Sequence, residues 1–338
     1  MAVPPVPLER LSKASAASNA WALRLLMTGA VAVLIVLSLA APIGYVFLTT
    51  EVLIAIVYAT SLNLLMGYGG MLSLGHAAYY ALGAYTTALL TVKVGWPMAA
   101  AMLAGPVVAA LFAAIFGLLI VRTSHLEHAY FLMLTLAFSQ LVFVVIYKWY
   151  DLTHGDDGIT GIFPAGLIGT PRSYCIFVVL VSSACLWLLY RLVHSPFGLI
   201  LQAIRDNPTR VEFVGLSVRR HQLAAFVIAG CVAGISGTLY AYFAGTISPQ
   251  LADWAQSARP FIANTIGGIQ SFWGPAIGVI VLELVDSQFA RFTEHSLLAV
   301  GLLAVFVGIF FPQGMIGLFG GRSADRAHGL WKRLRSGS

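Results

Sequence analysis

The stretch SLNLLMGYGGMLSLGHAAYYALGAY, Ser61 to Tyr85, places Asn63, Ser73 and His76 among apolar residues and interrupts them with Gly67, Gly69, Gly70 and Gly75. In a medium of low dielectric constant, neutral polar groups of this kind can hydrogen-bond a small polar solute, and an imidazole can relay a proton. Thr135, Ser139 and Gln140 form a second deep polar set, the first two four residues apart on one helix face. Glu283 and Asp286 also share a face and suit a carboxylate pair nearing an interface, with a proton relay as the other reading. His125 and His128 beside Glu127 make an HxxH pattern close to Arg122, better suited to solvated anchors than to a metal site. No GxxxxGK[ST] phosphate loop occurs, and no Ser/His/Asp or Cys/His set has a recognisable local signature. If ATP drives this protein, another chain hydrolyses it.

The elements that must hold these residues are membrane helices. Hydrophobic residues make up 59% and charged residues 9% of the chain, against roughly 25% charged in a soluble domain. Apolar runs recur from about Trp21 to Phe311, and a helix needs roughly 20 residues to cross a hydrocarbon core of about 30 Å. The net charge of +6 comes from basic residues in the breaks between runs, which makes them topology signals and not a nucleic-acid surface. Cys175, Cys185 and Cys231 sit within apolar segments as small hydrophobes. The run Leu25 to Leu48 exceeds a signal-peptide core of roughly 7 to 15 residues, so it is expected to be a retained first helix.

Further spans are expected at about Glu51 to Met66, His76 to Val92, Pro97 to Val121, Ala129 to Tyr147, Ser173 to Leu192, Gln222 to Ala244 and Ser296 to Phe311. Arg259 to Leu284 contains TIGGIQSFWGPAIG, Thr265 to Gly278, which reads as two short helices with a break. The basic N-terminal tail, the loop with Arg191, Arg205, Arg210, Arg219 and Arg220, and the basic C-terminal tail are expected on the cytoplasmic side, and Asp151 to Arg172 outside. Their parity gives an all-α polytopic membrane protein of about ten crossings, including broken or re-entrant helices, with both termini inside. Residues 1–22 form a tail, 23–312 the membrane domain with the loop 191–221, and 313–338 a second tail. Irregular backbone at membrane depth survives where it is buried in protein or lines a watery cavity. The Gly67 to Gly70 break therefore suggests a solute path, with close packing of small residues as the alternative. Gly267-Gly268 and Ser271 echo Gly69-Gly70 and Ser73.

In the basic loop, Ser195-Pro196 and Asn207-Pro208 each pair an N-cap with proline at the first helical position, and Gly215 stops the second helix. Two short extramembrane helices follow, the second offering Val211 and Val214 on one face, either as a knob for a partner or as a helix resting on lipid headgroups.

These segments resemble the permease subunits of branched-chain amino-acid ABC importers, of the LivM type. The resemblance rests on SLNLLMGYGGMLSLGHAAYYALGAY, AYFLMLTLAFSQ (129–140), GDDGITGI (155–162), the stretch from Phe197 to Ala241, GGIQSFWGPAIG and FPQGMIGL, in that order across roughly residues 50 to 320. It implies a bacterial inner-membrane subunit that imports branched-chain amino acids or a related small polar solute by alternating access. The implied partners are a second homologous permease subunit, two ATP-binding subunits, a periplasmic substrate-binding protein and membrane lipid. The chain itself would bind no cofactor, with ATP and Mg on the ATPase partners. The coupling segment would be Ala203, Arg205, Asp206, Asn207, Pro208, Arg210 and Gly215, and the solute pathway would use Asn63, Ser73, His76, Thr135, Ser139 and Gln140. A secondary carrier coupled to ions through Glu283 or His76 is the other reading.

Overall fold

The computed structural model describes residues 29, 33–36, 38–121, 128–289, 301–302 and 314–316. The tail 1–22, most of the tail 313–338, most of the last expected span and the stretch with His125 and Glu127 lie outside the described residues.

The first long helix, α1 (Ile43–Asn63), runs on through a π-turn, Leu64–Tyr68, and α2 (His76–Ala88) through another, Leu89–Lys93. Then follow α3 (Met98–Val121), α4 (His128–Lys148), the short α5 (Tyr150–Thr153) and strand β1 (Ile159–Thr160). After α6 (Pro171–Val193) come two short helices, α7 (Pro196–Asp206) and α8 (Pro208–Phe213), and then α9 (Val218–Ala244). Strand β2 (Thr246–Ile247), α10 (Trp254–Gly267) and α11 (Gly274–Phe289) complete the order. Among the described residues five helices are long and apolar enough to cross a membrane: α1 with its π-turn, α3, α4, α6 and α9.

The expected boundary between the first two spans is displaced. The break falls at Ala41-Pro42, and Glu51 lies well inside α1 instead of at a helix start. Proline has no N–H to give to a preceding turn, so a helix readily begins beside it. Thr49 and Thr50, which looked like a boundary, stay helical because their hydroxyls donate to Tyr45 O and Val46 O at 2.7 and 2.8 Å.

α1 is the central post, buried almost continuously from Leu53 to Asn63 and packed by α6, α9, α10 and α11. Beside it α2, α3 and α9 meet along a seam of small residues. A Cβ on Gly83 or Gly237 would land on the backbone of Gly234 or Tyr80, so only hydrogen lets the backbones of α2 and α9 approach. Thr87 and Thr238 share a hydroxyl hydrogen bond at 3.0 Å within that seam. Away from it, Leu103, Val107, Leu111 and Ile115 on α3 are exposed at i, i+4 spacing, a stripe that suits lipid.

The two ends of the bundle differ. One carries α7 and α8. The other carries β1 and β2, whose antiparallel pairs Ile159–Ile247 and Thr160–Thr246 tie the α5–α6 connection to the end of α9. From that end the chain re-enters through a 3₁₀ turn, Pro249–Ala252. α10 then runs toward the α7–α8 end and α11 returns beside it, so the TIGGIQSFWGPAIG segment is two helices with a turn between them, as its glycines indicated. Gly267 and Gly278 face the backbones of Gly274 and Ala263, which brings this hairpin into direct backbone contact.

Candidate functional site

Three irregular segments converge at the α7–α8 end. α1 finishes in a π-turn at Gly67, where a Cβ would strike Ile269 O in the α10–α11 turn. Gly70 has φ +67°, a conformation that favours glycine, and reverses the chain toward α2. The side chain of Arg205 from α7 lies against Gly70: a Cβ built there would sit 2.6 Å from Arg205 Cγ. Arg205 Nη1 donates to Gly67 O at 2.7 Å, while its Nε and Nη2 donate to Asp206 Oδ1 at 3.2 Å. A carbonyl freed by the end of α1 is thus satisfied by an arginine from the short helix α7. On its other side, Asn63 Nδ2 donates to Ser271 O at 3.0 Å. The two glycine breaks that echo each other in sequence are in contact, and α7 is fastened to the first of them through Arg205.

The polar residues read as pathway candidates lie in a buried band just beyond this junction. His76, at the start of α2, has no solvent exposure; its Nε2 is 2.7 Å from Ser61 Oγ, and its ring stacks on Tyr58 at 5.5 Å. Ser73 Oγ accepts from Gly75 N at 3.3 Å. Thr135 Oγ1 accepts from Leu74 N at 3.2 Å and donates to Leu132 O at 2.9 Å. Ser139 donates to Ala252 O at 3.2 Å, and Gln140 Nε2 to Asp253 Oδ1 at 3.3 Å. Together with Asn63, these side chains sit where the irregular segments 69–75 and 249–253 cross α1 and α4, and most of their bonds go to backbone groups that lipid could not satisfy. Ser257, which the sequence did not single out, belongs with them: its hydroxyl accepts from Ala77 N at 2.9 Å, at the uncapped start of α2. Among the described residues, the Asn63 Oδ1 and His76 Nδ1 atoms are buried without a partner.

Of the residues expected to couple to a partner, Ala203, Asp206, Pro208, Arg210 and Gly215 are exposed. Asn207 caps α8 by accepting from Arg210 N at 3.0 Å. Ser195 differs from expectation, since its hydroxyl donates back to Leu192 O at 2.6 Å and takes no part in capping α7. Val211 and Val214 also fail to share a face. Val211 is buried with Ile204 and Val218 under the loop, whereas the exposed apolar tip is Phe213 and Val214.

Toward the β end, a cavity of about 60 Å³ opens between α1, α2, α9, α10 and α11, lined by Glu51, Tyr58, Tyr80, Tyr240, Arg259 and Glu283 among others. Arg259 Nη2 pairs with Asp286 Oδ2 at 3.1 Å. Glu283 and Asp286 meet different neighbours: Asp286 enters the ion pair with α10, and Glu283 lines the cavity. Charges inside apolar runs were the available signal for Glu51 and Arg259, but both had been read as helix starts. No group of three or more His, Cys, Asp or Glu side chains able to hold a metal occurs among the described residues.

The family described as "Branched-chain amino acid transport system / permease component" matches residues 44–311. The high-affinity branched-chain amino acid transport system permease protein LivM of Escherichia coli K12 is 30% identical over 314 residues, covering 84% of this chain and 73% of that protein. Its counterpart in Salmonella typhimurium LT2 is 29% identical over 300 residues, covering 81% and 70%. The D-allose transport system permease protein AlsC of E. coli K12 is 27% identical over 236 residues, covering 68% and 70%. No solved structure matches the chain. The glycine breaks, the helices α7 and α8 and the apolar spans all fall within the matched region, and the chain belongs to the permease components of branched-chain amino acid transport systems.

Proposed function

We propose that this chain forms one half of the membrane path of an ATP-driven importer for branched-chain amino acids or a related small polar solute. It is a transport subunit without an ATPase site of its own. The observation that carries the mechanism is the hydrogen bond from Arg205 to Gly67 O, because it joins the helix best placed to meet a partner to the break where the membrane backbone is least regular.

In this reading the exposed tip of α8, with Asp206, Pro208, Arg210, Phe213 and Val214, docks on an ATP-binding subunit that holds ATP and Mg. Closure of the ATPase pair displaces α7 and α8. Arg205 passes that displacement to Gly67, and Asn63 passes it to the α10–α11 turn, so both broken segments shift together. Neutral side chains suit such a path because weak contacts let the solute leave, while a periplasmic binding protein supplies selectivity and ATP supplies direction. Asn63, Ser73, His76, Thr135, Ser139 and Gln140 hold its wall in register.

Counting the two apolar stretches outside the described residues, and α2, α10 and α11 as crossings, gives about ten with both termini cytoplasmic in a bacterial inner membrane. A homologous permease subunit completes the path.

The test exchanges charges at the junction. Arg205→Glu with Asp206→Arg sets a carboxylate against Gly67 O and is expected to abolish uptake into vesicles while leaving the chain in the membrane. Uptake at the unmodified rate would refute the coupling role.

A further inference from the structure

The cavity lined by Glu51, Arg259 and Glu283 is not used by the coupling junction, and its charged lining is unusual among such apolar helices. Charged side chains in apolar surroundings are costly and are normally paired. Arg259 is balanced by Asp286, whereas Glu51 and Glu283 form no ion pair or hydrogen bond among the described residues. Counting Glu51, Glu283 and Asp286 against Arg259 leaves a formal surplus of two negative charges around the cavity. A surplus of this sign repels anions and favours a cationic group.

The remaining walls narrow the choice of cation. Tyr58, Tyr80 and Tyr240 converge there, with Tyr58 and Tyr80 ring centroids 4.6 Å apart and Tyr80 and Tyr240 5.7 Å apart. Aromatic faces beside carboxylates suit an organic cation. Tyr80 is only 3% exposed, yet its hydroxyl makes no hydrogen bond among the described residues. A hydroxyl on a cavity wall without a protein partner is placed to meet a ligand. A metal ion fits poorly, since no set of three metal-ligating side chains gathers among the described residues. At about 60 Å³ the cavity has room for about four water-sized groups of ~15 Å³ each, the size of a charged head group and its first carbons.

We propose that this cavity is the seat in the membrane for the ammonium group of a primary-amine solute, with Glu51 and Glu283 as its counter-charges and Tyr80 as a hydrogen-bonding wall. The solute's apolar part remains in the mouth of the cavity, and the seat holds it only in passing. This rests on the importer reading above and adds to it the place in the fold where the amine is held.

The experiment uses the full transporter with its binding protein in proteoliposomes, with L-leucine and 4-methylpentanoate, the same skeleton without the amine, as radiolabelled probes. ATP-dependent leucine uptake that exceeds uptake of the amine-free acid is expected of the unmodified complex. Glu51→Gln with Glu283→Gln is expected to lower leucine uptake about tenfold while ATP hydrolysis stimulated by the loaded binding protein stays within about twofold. Glu51→Asp with Glu283→Asp, which keeps the charges, is expected to restore uptake to within about threefold. Equal losses in the Gln and Asp pairs, no loss in the Gln pair, or preferred uptake of 4-methylpentanoate by the unmodified complex would each overturn the assignment. Absence of any ATP-dependent uptake of either probe by the unmodified complex would instead count against the importer reading on which it rests.

Discussion

Arg205 spends its guanidinium within the chain: one nitrogen reaches Gly67 O and the other two reach Asp206. A hydrogen bond to a charged group is worth about 1.5–3 kcal/mol, and each 1.4 kcal/mol is a factor of ten. Arg205→Ala is therefore expected to slow uptake about 10- to 100-fold while ATP-binding subunits still co-purify. Arg205→Lys is expected to fall in between, because lysine keeps the charge on a single donor nitrogen and loses the planar fork. Uptake assays on matched amounts of purified complex decide between these outcomes. Gly70→Ala reaches the same bond from the other side. It places a methyl group against Arg205 Cγ at a backbone φ of +67°, so uptake should drop with it. That Arg205 lies in the basic loop between two long helices was legible from its neighbours in sequence. That it points inward was not, because the partner is a backbone carbonyl, and carbonyls leave no trace in residue identity.

Most helices could be read from apolar length alone, since the hydrocarbon thickness leaves few alternatives for runs such as Met98 to Val121. The boundary near Glu51 could not, because threonines that donate to the carbonyl four residues back look like a break in sequence and behave as helix in the fold. The glycine breaks were legible as breaks, but not as mutual contacts: Gly67 and Ile269 are brought together by how α10 and α11 pack on α1. At this scale the seam between α2 and α9 is the most sensitive feature. Gly237→Ala would drive a Cβ into the Tyr80 backbone, and overpacking of this kind costs about 1–3 kcal/mol. A lowered midpoint of thermal unfolding in detergent, with loss of uptake, is the expected result. Thr238→Val removes the hydroxyl bonds across the seam to Thr87 Oγ1 and Gly83 O, each worth about 0.6 kcal/mol, and should give a smaller shift in the same measurement.

The molecule as a whole divides its work between an apolar body and one exposed polar handle. Phe213 and Val214, 88% and 79% exposed at the tip of α8, are poor residues to leave in water and good ones to bury against a partner. Phe213→Asp is expected to reduce recovery of ATP-binding subunits with the tagged chain, while the amount of the chain in the membrane is unchanged. Quantitative mass spectrometry of the purified complex would measure both. The seam of glycines also bears on how such a chain can change over generations. Wherever a hydrogen atom is the largest group that fits, as at Gly83, Gly234 and Gly237, drift is blocked, and variation is diverted to the outward stripes of α3 and α4, where any apolar residue serves. Distant homologues should therefore keep the inner lattice of small residues while sharing little of the surface that meets lipid, and overall identity will understate how alike their interiors are.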